Sequence, residues 1–178
     1  MNSVILDAKD TSRAVNRIAH EILERNNGAE NLAIVGIRTR GVHLARRLQK
    51  KIQEIESATV DFGVLDITLY RDDLGKGKQK PALKKTDISF PVDGKKIVLC
   101  DDVLFTGRTI RAAIDALMDF GRPSCVQLAV LIDRGHRELP IRPDFVGKNV
   151  PTSRNMIVKV KFQEEDNEDS VMICERPS

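Results

Sequence analysis

The sequence predicts an α/β fold, with a central and mostly parallel twisted sheet flanked by helices. Three apolar runs, at 32–37, 97–100 and 125–132, carry this prediction. Each is short and aliphatic, as expected of strands that are buried on both faces. Segments with helical spacing of apolar residues separate the runs, and strands joined through helices form parallel sheets with right-handed crossovers. The chain of 178 residues is expected to be one domain, 1–178.

The composition is that of a folded globular protein, with 41% hydrophobic and 31% charged residues. No apolar run reaches the roughly 18 residues of a membrane span, and the N-terminus lacks the pattern of a signal peptide. Cys100, Cys125 and Cys174 lie in apolar segments and are interpreted as reduced core thiols. We therefore expect a cytoplasmic protein without a membrane partner.

The first element is a helix over 11–27, with Gly28 as its stop. Its apolar positions fall at helical spacing, and the other side carries the basic residues Arg13, Arg17, His20 and Arg25. A stripe of this kind is usually solvated surface. With a net charge of only +3, nucleic-acid binding would require basic residues gathered on one face.

The strand at 32–37 runs into Arg38-Thr39-Arg40-Gly41 and then into a second helix. Two guanidinium groups beside a helix N-terminus form an anion site. A basic turn without a ligand remains the alternative interpretation.

A strand follows over 60–69, and its alternation changes phase near Gly63, which predicts a bulge or a bend. The polar stretch from 70 to 81 contains two glycines and three lysines within 75–80. Residues 86–90 could return as the second strand of a hairpin. The hairpin is either a closing lid or an ordinary surface loop.

The stretch 96–110 is the most informative part of the chain. An apolar strand meets Asp101 and Asp102, and a turn containing Thr106 and Thr109 leads into a helix. Backbone N–H groups at a helix start suit a phosphate, and paired carboxylates suit vicinal hydroxyls or hydrated Mg²⁺. A strand end without a ligand is the alternative. Two adjacent ionised carboxylates repel each other, which favours a site.

The remaining chain is predicted to hold a buried strand at 125–132, an irregular basic segment at 133–150 and an antiparallel strand at 156–162. An acidic turn at 164–169, interpreted as solvated surface, precedes a last strand at 171–174. Loops 38–41 and 101–109 both follow parallel strands, so they should meet at the carboxyl edge of the sheet.

The stretch Val98–Ile110 resembles the phosphoribosyl-pyrophosphate (PRPP) signature of type I phosphoribosyltransferases: hydrophobic residues, two acidic residues, a variable stretch, then Thr-Gly-x-Thr. The resemblance implies the type I phosphoribosyltransferase fold. It makes 38–41 the pyrophosphate loop, which in this superfamily often contains a cis peptide, and about 70–86 the lid. The isomer of the 38–39 peptide stays open.

With segment 133–151 and the start of the lid at 70–73, the whole chain resembles the bacterial PyrR family of pyrimidine operon regulators and uracil phosphoribosyltransferases. This resemblance implies transfer from PRPP to uracil, with Mg²⁺, to give UMP and pyrophosphate. It also implies binding of a pyrimidine-operon leader mRNA stem-loop when UMP or UTP is bound, causing transcription termination (attenuation). A hood at about 133–155 and a homodimer or larger homo-oligomer are implied as well.

The resemblance assigns roles by position. The catalytic set is Asp101, Asp102, Arg38, Arg40 and Arg71. The PRPP and nucleotide set is Thr39, Arg40, Asp101, Asp102, Val103, Leu104, Phe105, Thr106, Gly107, Arg108 and Thr109. The base set is Asp133, Arg134, Phe145 and Val146. The RNA set is Arg13, Arg17, His20, Arg25, Thr39, His136, Arg137, Arg142 and Lys148. Mg²⁺ would arrive with PRPP, with Asp101 and Asp102 as candidate ligands.

Two other functions are considered. A 6-oxopurine salvage phosphoribosyltransferase would have no RNA role, and segment 133–151 argues against it. A pure RNA-binding regulator would keep the pocket only as a sensor, and the intact Asp101, Asp102, Thr106 and Thr109 argue against that.

Overall fold

The computed structural model describes residues 2–72 and 85–177. In chain order the elements are β1 Ser3–Leu6, α1 Ala8–Asn26, β2 Leu32–Ile37, α2 Arg40–Glu56, β3 Asp61–Leu65, a 3-10 turn Thr68–Tyr70, β4 Lys96–Leu104, α3 Arg108–Met118, β5 Cys125–Asp133, β6 Phe145–Asn149, β7 Met156–Lys161, α4 Gln163–Asp166 and β8 Ser170–Glu175.

Two sheets organise these elements. The larger is parallel and five-stranded, in the order β3-β2-β4-β5-β6, and the smaller is antiparallel, in the order β1-β8-β7. Strands β2 and β4 are neighbours at the centre, with Gly36 opposite Cys100. The predicted α/β class with a mostly parallel sheet is confirmed.

The core lies on both faces of the parallel sheet. Residues of α1 and α2 pack on one face, against Ile34 and Val98. Helix α3 packs on the other face, against Val35 and Leu99. Consecutive residues of one strand thus enter opposite core layers, because side chains alternate across a strand.

Helix α1 starts earlier than the apolar pattern indicated. Asp7 caps it: its Oδ1 accepts from the Asp10 N–H at 2.8 Å, and the Asp7 N–H donates to Asp10 Oδ2 at 3.3 Å. At the other end Asn27 adopts a left-handed conformation, and the Gly28 N–H donates to the Leu23 carbonyl at 2.9 Å. The predicted stop at Gly28 is confirmed.

Several local predictions were wrong. Strand β3 pairs with β2 in regular register, so there is no bulge at Gly63. A Cβ there would instead lie 3.2 Å from atoms of Ile88 and Phe90, so glycine makes room for the returning segment. That segment forms one antiparallel bridge, between Val64 and Asp87. Cys125 is exposed, whereas Cys100 and Cys174 are buried.

The acidic segment 164–169 is largely solvated, with Glu164, Glu165 and Glu168 exposed as expected, but it is not an isolated turn. Arg47 on α2 bonds Glu164 and Asp169, at 2.6 and 2.7 Å, and His43 lies 3.1 Å from Glu165. These ion pairs fasten the short helix α4 against α2. Residues 145–149, expected to be irregular, form β6 at the edge of the parallel sheet.

Most of the predicted lid, about 70–86, lies outside the described residues, which omit 73–84. The hood boundaries and the single domain over 1–178 remain predictions.

Candidate active site

The ends of β2 and β4 enclose a pocket of about 430 Å³, the first pocket. Its walls include seven residues of the predicted set, namely Arg38, Thr39, Arg71, Asp101, Asp102, Val103 and Thr109. The two loops 38–41 and 101–109 therefore meet at the carboxyl edge of the sheet, where ligands of open parallel sheets bind.

Glycine at 41 allows this meeting. A Cβ on Gly41 would lie 2.5 Å from the Cys100 carbonyl oxygen and 3.3 Å from Asp101 Oδ1. The first turn of α2 therefore rests directly on the strand that carries the acidic pair.

The two carboxylates of the pair have different environments. Asp101 is only 8% exposed, and its Oδ1 accepts from the Asp102 N–H at 2.9 Å. Burial, together with the neighbouring Asp102 charge, raises the pKa of Asp101 well above its ordinary value. The repulsion expected between the two neighbours is thereby reduced. Asp102, which is less buried, lines the first pocket and a second one.

The loop after β4 forms a small cradle of about 80 Å³ at the start of α3, with walls from 103–107, Thr109 and Ile110. Gly107 is the residue before the helix and has φ of 94°, a conformation that favours glycine. Thr106 Oγ1 accepts from the Arg108 N–H at 3.3 Å. The size and the helix N-terminus suit a phosphate group.

Loop 38–41 faces this cradle across the first pocket. The Arg38–Thr39 peptide, whose isomer the sequence left open, is cis. The Arg38 backbone N–H donates to Leu65 O at 2.9 Å, and its Nε donates to Lys85 O at 3.0 Å. Arg38 and Arg71 both line the pocket, so two guanidinium groups lie beside the acidic pair.

Arg40 turns to the second pocket, of about 280 Å³, which Asp102, Asp166 and 158–161 also line. Its Nη2 and Nε donate to the two carboxylate oxygens of Asp166 at 2.7 and 3.3 Å. This pairing raises the pKa of Arg40 and lowers that of Asp166. The two pockets share Asp102.

Sequence reasoning did not find the 158–161 wall. These residues belong to β7, one of the two edge strands of the small sheet, and all four line the second pocket. Alternating Lys159 and Lys161 predicted a strand, but nothing in the sequence linked that strand to Asp102. Asp66 and Thr68, further residues of the first pocket, were likewise missed.

Comparison with known proteins identifies the family. A model of the phosphoribosyl transferase domain matches residues 1–165. The bifunctional protein PyrR of Clostridioides difficile is 60% identical over 171 residues, covering 96% of this chain and 97% of that protein. The PyrR of Thermus aquaticus is 60% identical over 172 residues, covering 97% and 95%. The chain belongs to the PyrR family.

Solved structures support the fold. Hypoxanthine phosphoribosyltransferase from Trypanosoma cruzi matches with a TM-score of 0.74 at 17% identity, covering 98% of this chain and 95% of that one. A hypoxanthine phosphoribosyltransferase from Staphylococcus aureus matches with a TM-score of 0.70 at 19% identity, covering 98% of this chain and 93% of that one. Identity this low shows the fold alone. The recognised PyrR family and the type I phosphoribosyltransferase fold are both confirmed.

The residues expected to contact the base in this PyrR-family chain do not gather in either pocket. Phe145 is 2% exposed and belongs to the core. The Val146 carbonyl accepts from Arg17 Nη1 at 3.1 Å. Asp133 pairs with Arg137 at 2.7 Å, and Arg134 lies over the Phe105 ring at 4.1 Å. All four lie on β5, β6 and the loop between them, beyond the described walls of the two pockets.

Much of the RNA set lies on one surface. Helix α1 packs beside β6: Arg17 Nη2 donates to Gly147 O at 2.6 Å, and Arg25 pairs with Asp144 at 3.0 Å. Lys148 follows on the same strand. The exposed members of the set on these two elements are Arg13, Arg17, His20, Arg25 and Lys148, whereas Arg142, also exposed, lies in the segment between β5 and β6. His136 and Arg137 are half-buried, and Thr39 lines the first pocket.

Within the described ranges 2–72 and 85–177, no cluster of three or more His, Cys, Asp or Glu side chains is arranged to hold a metal ion. Across the same residues, no helix has the length and apolar character needed to cross a membrane.

Proposed function

We propose that this chain transfers the ribose 5-phosphate of PRPP to N1 of uracil, giving UMP and pyrophosphate. With UMP or UTP bound, it then binds a stem-loop in the leader mRNA of pyrimidine-synthesis genes and promotes transcription termination. Membership in the PyrR family, at about 60% identity over almost the whole chain, carries this proposal. The joined pockets around Asp102 support the enzymatic half.

The reaction depends on charge placement and uses no protein nucleophile. Arg38 and Arg71 line one wall of the first pocket and are positioned to stabilise the leaving pyrophosphate. Asp102 lies between the two pockets, beside the sugar, where its carboxylate holds a ribose hydroxyl and stabilises the cationic ring. The start of α3 holds the 5-phosphate.

Magnesium would enter with PRPP. The first pocket offers hard carboxylate oxygens from Asp66, Asp101 and Asp102. Mg²⁺ commonly keeps several waters and takes one or two carboxylates together with substrate phosphates, so these residues fit it. When bound, the ion neutralises part of the pyrophosphate charge.

The base is placed in the second pocket. Uracil presents a carbonyl, an N–H and a second carbonyl along one edge, and an edge strand offers alternating backbone N–H and C=O groups that match such a pattern. Strand β7 is that edge strand, and 158–161 line the pocket beside Asp102. This proposal adds 158–161 as base contacts, and the contacts from Phe145 and Val146 stay a prediction.

The enzymatic half is tested by incubating the protein with PRPP, Mg²⁺ and labelled uracil or hypoxanthine. We expect UMP from uracil and far less nucleotide from hypoxanthine. A preference for hypoxanthine would favour the 6-oxopurine salvage enzyme. No nucleotide from either base would refute the transferase and leave the pocket as a sensor.

The regulatory half is tested by filter binding of a pyrimidine-leader hairpin. The surface that α1 shares with β6 carries exposed Arg13, His20 and Lys148, which suit phosphates and the bases of an RNA loop. We expect UMP to tighten binding and salt to weaken it steeply. Binding that ignores UMP would contradict the regulatory role.

The protein is proposed to act in the cytoplasm as a homodimer or larger homo-oligomer. Sedimentation at several protein concentrations tests the assembly. A monomer at every concentration would contradict it.

A further inference from the structure

The half-buried Arg137 is hydrogen-bonded to the phosphate loop, which is the stretch 105–109 after β4. Its Nη1 donates to the Phe105 carbonyl at 2.6 Å, its Nη2 to Asp133 Oδ2 at 2.7 Å and its Nε to the Ile141 carbonyl at 2.8 Å. Its side chain is 22% exposed. Three of the five guanidinium donors are therefore used within the chain.

Neighbouring residues hold the same loop from outside. The Phe105 ring lies under the Arg134 guanidinium at 4.1 Å and meets the His136 ring edge-on at 5.6 Å. The Thr106 carbonyl accepts from the N–H groups of Glu138 and Leu139 at 2.9 and 3.3 Å.

Ile141 also packs against the phosphate loop, at Gly107. A Cβ on Gly107 would lie 3.4 Å from the Ile141 Cβ, so the isoleucine packs directly on the residue that precedes α3. Arg142 follows at once and is exposed. Segment 136–142 thus holds the phosphate loop with its inner side chains and presents a basic residue to solvent.

We propose that Arg137 is a positioning residue of the phosphate loop and not a direct RNA contact. Through Arg137 and Ile141, a phosphate held by 105–109 sets the arrangement of segment 136–142 toward RNA. This inference rests on the proposed function, since it states how the bound nucleotide changes RNA affinity.

The physical reason is that the hydrogen bonds from Arg137 to the Phe105 and Ile141 carbonyls are both short and directional. If the loop tightens around a phosphate, the Phe105 carbonyl moves and the guanidinium must follow to keep its bond. The same guanidinium holds the Ile141 carbonyl, one residue before Arg142. Coupling between sites is reciprocal, so RNA must tighten UMP by the same factor as UMP tightens RNA.

The experiment measures the dissociation constant of the leader hairpin with and without saturating UMP, in the wild type, Arg137→Lys and Ile141→Ala. It also measures KM for PRPP and kcat. In the wild type we expect UMP to tighten RNA binding by about fivefold or more, a typical coupling factor. In both variants the ratio of the RNA dissociation constants without and with UMP should fall to about twofold or less. The KM for PRPP should rise more than kcat falls.

Arg142→Gln is the matched control, because it removes an exposed cation from the same segment. It should weaken RNA binding equally with and without UMP and leave the ratio unchanged. Melting curves show whether each variant is folded. If Arg137→Lys fails to fold, Ile141→Ala carries the test.

The outcomes separate the two claims. A wild type whose RNA binding ignores UMP would overturn the proposed regulatory function and this inference with it. A wild type that responds, together with variants that keep the full ratio and an unchanged KM for PRPP, would overturn only this inference. If Arg137→Lys also weakened RNA binding equally with and without UMP, Arg137 would be a direct RNA contact.

Discussion

Arg40 and Asp166 form a two-point ion pair between the start of α2 and the short helix α4, with N–O distances of 2.7 and 3.3 Å. Asp166 Oδ2 also accepts from the Phe162 N–H at 2.9 Å, which fixes the carboxylate. The pair holds the Arg40 guanidinium beside Asp102 in the second pocket.

Replacing Asp166 with Asn should release Arg40. The amide keeps an acceptor for the Phe162 N–H but loses the charge that orients the guanidinium. We expect catalytic efficiency with PRPP and uracil to fall by about tenfold, with a stability loss below about 1 kcal/mol because Arg40 is partly exposed. Steady-state kinetics and urea unfolding measure the two effects. Glu54→Gln, which removes a surface pair to Lys51 on α2, is the control and should leave the kinetics unchanged.

The ion pairs of α4 predict acid sensitivity. Hydrogen bonds from Arg47 lower the pKa of Glu164, and those from Arg40 lower the pKa of Asp166. A folded-state pKa below the unfolded value gives stability that is present at neutral pH and lost as the pH falls through the folded pKa. The free energy of unfolding should therefore decline below about pH 4. Urea unfolding from pH 7 to 3 tests this, and Arg47→Gln should flatten the decline.

Asp101→Asn should increase the relative stability of the fold at higher pH while it lowers the activity. The raised pKa of Asp101 in the folded state means that its stability contribution is complete below the unfolded pKa and is lost as the pH rises through the folded value. An amide cannot ionise, so the variant should gain stability relative to the wild type as the pH rises. UMP formation should fall by about a hundredfold. Melting curves that run parallel at every pH would contradict the assignment.

Lys148→Gln tests the RNA surface. If Lys148 neutralises an RNA phosphate, the variant should bind every hairpin more weakly and reduce the slope of log K against log salt by about 1. Lys95→Gln removes a cation that pairs with Asp61 at the other end of the strands, and it should leave the slope unchanged. An equal change in both variants would show that only the net charge matters.

The sequence predicted the frame of the fold because its central strands are continuous apolar runs. It did not predict that β4 continues through the acidic pair, since carboxylates disfavour a strand locally. Pairing with β5, from Asp101 opposite Val130 to Leu104 opposite Asp133, holds them in the sheet. Tertiary context overrides local preference there.

The acidic segment 164–169 also shows that local sequence does not report contacts between distant residues. The partners of Glu164 and Asp166 are Arg47 and Arg40, more than 100 positions earlier in the chain, and no local pattern reports such a pairing. Strand β6 was missed because Gly147 to Asn149 lack apolar alternation. At Gly147 a Cβ would lie 2.4 Å from the Leu131 carbonyl oxygen, so a glycine that reads as a breaker in fact permits the strand.

The site was predictable where side chains carry the chemistry, as at Asp101, Asp102 and Thr109. The wall formed by 158–161 was not predictable, because no local pattern links that strand to Asp102. The proposed base pocket therefore came from the structure alone.

We propose that the two pockets sharing Asp102 form a PRPP and uracil site. Comparing the wild type with Asp102→Asn for UMP formation from PRPP, Mg²⁺ and labelled uracil tests this assignment. We predict UMP formation by the wild type and a loss of about 10² to 10³ in the variant, with nucleotide-free RNA binding retained. Undiminished UMP formation by Asp102→Asn would contradict the account.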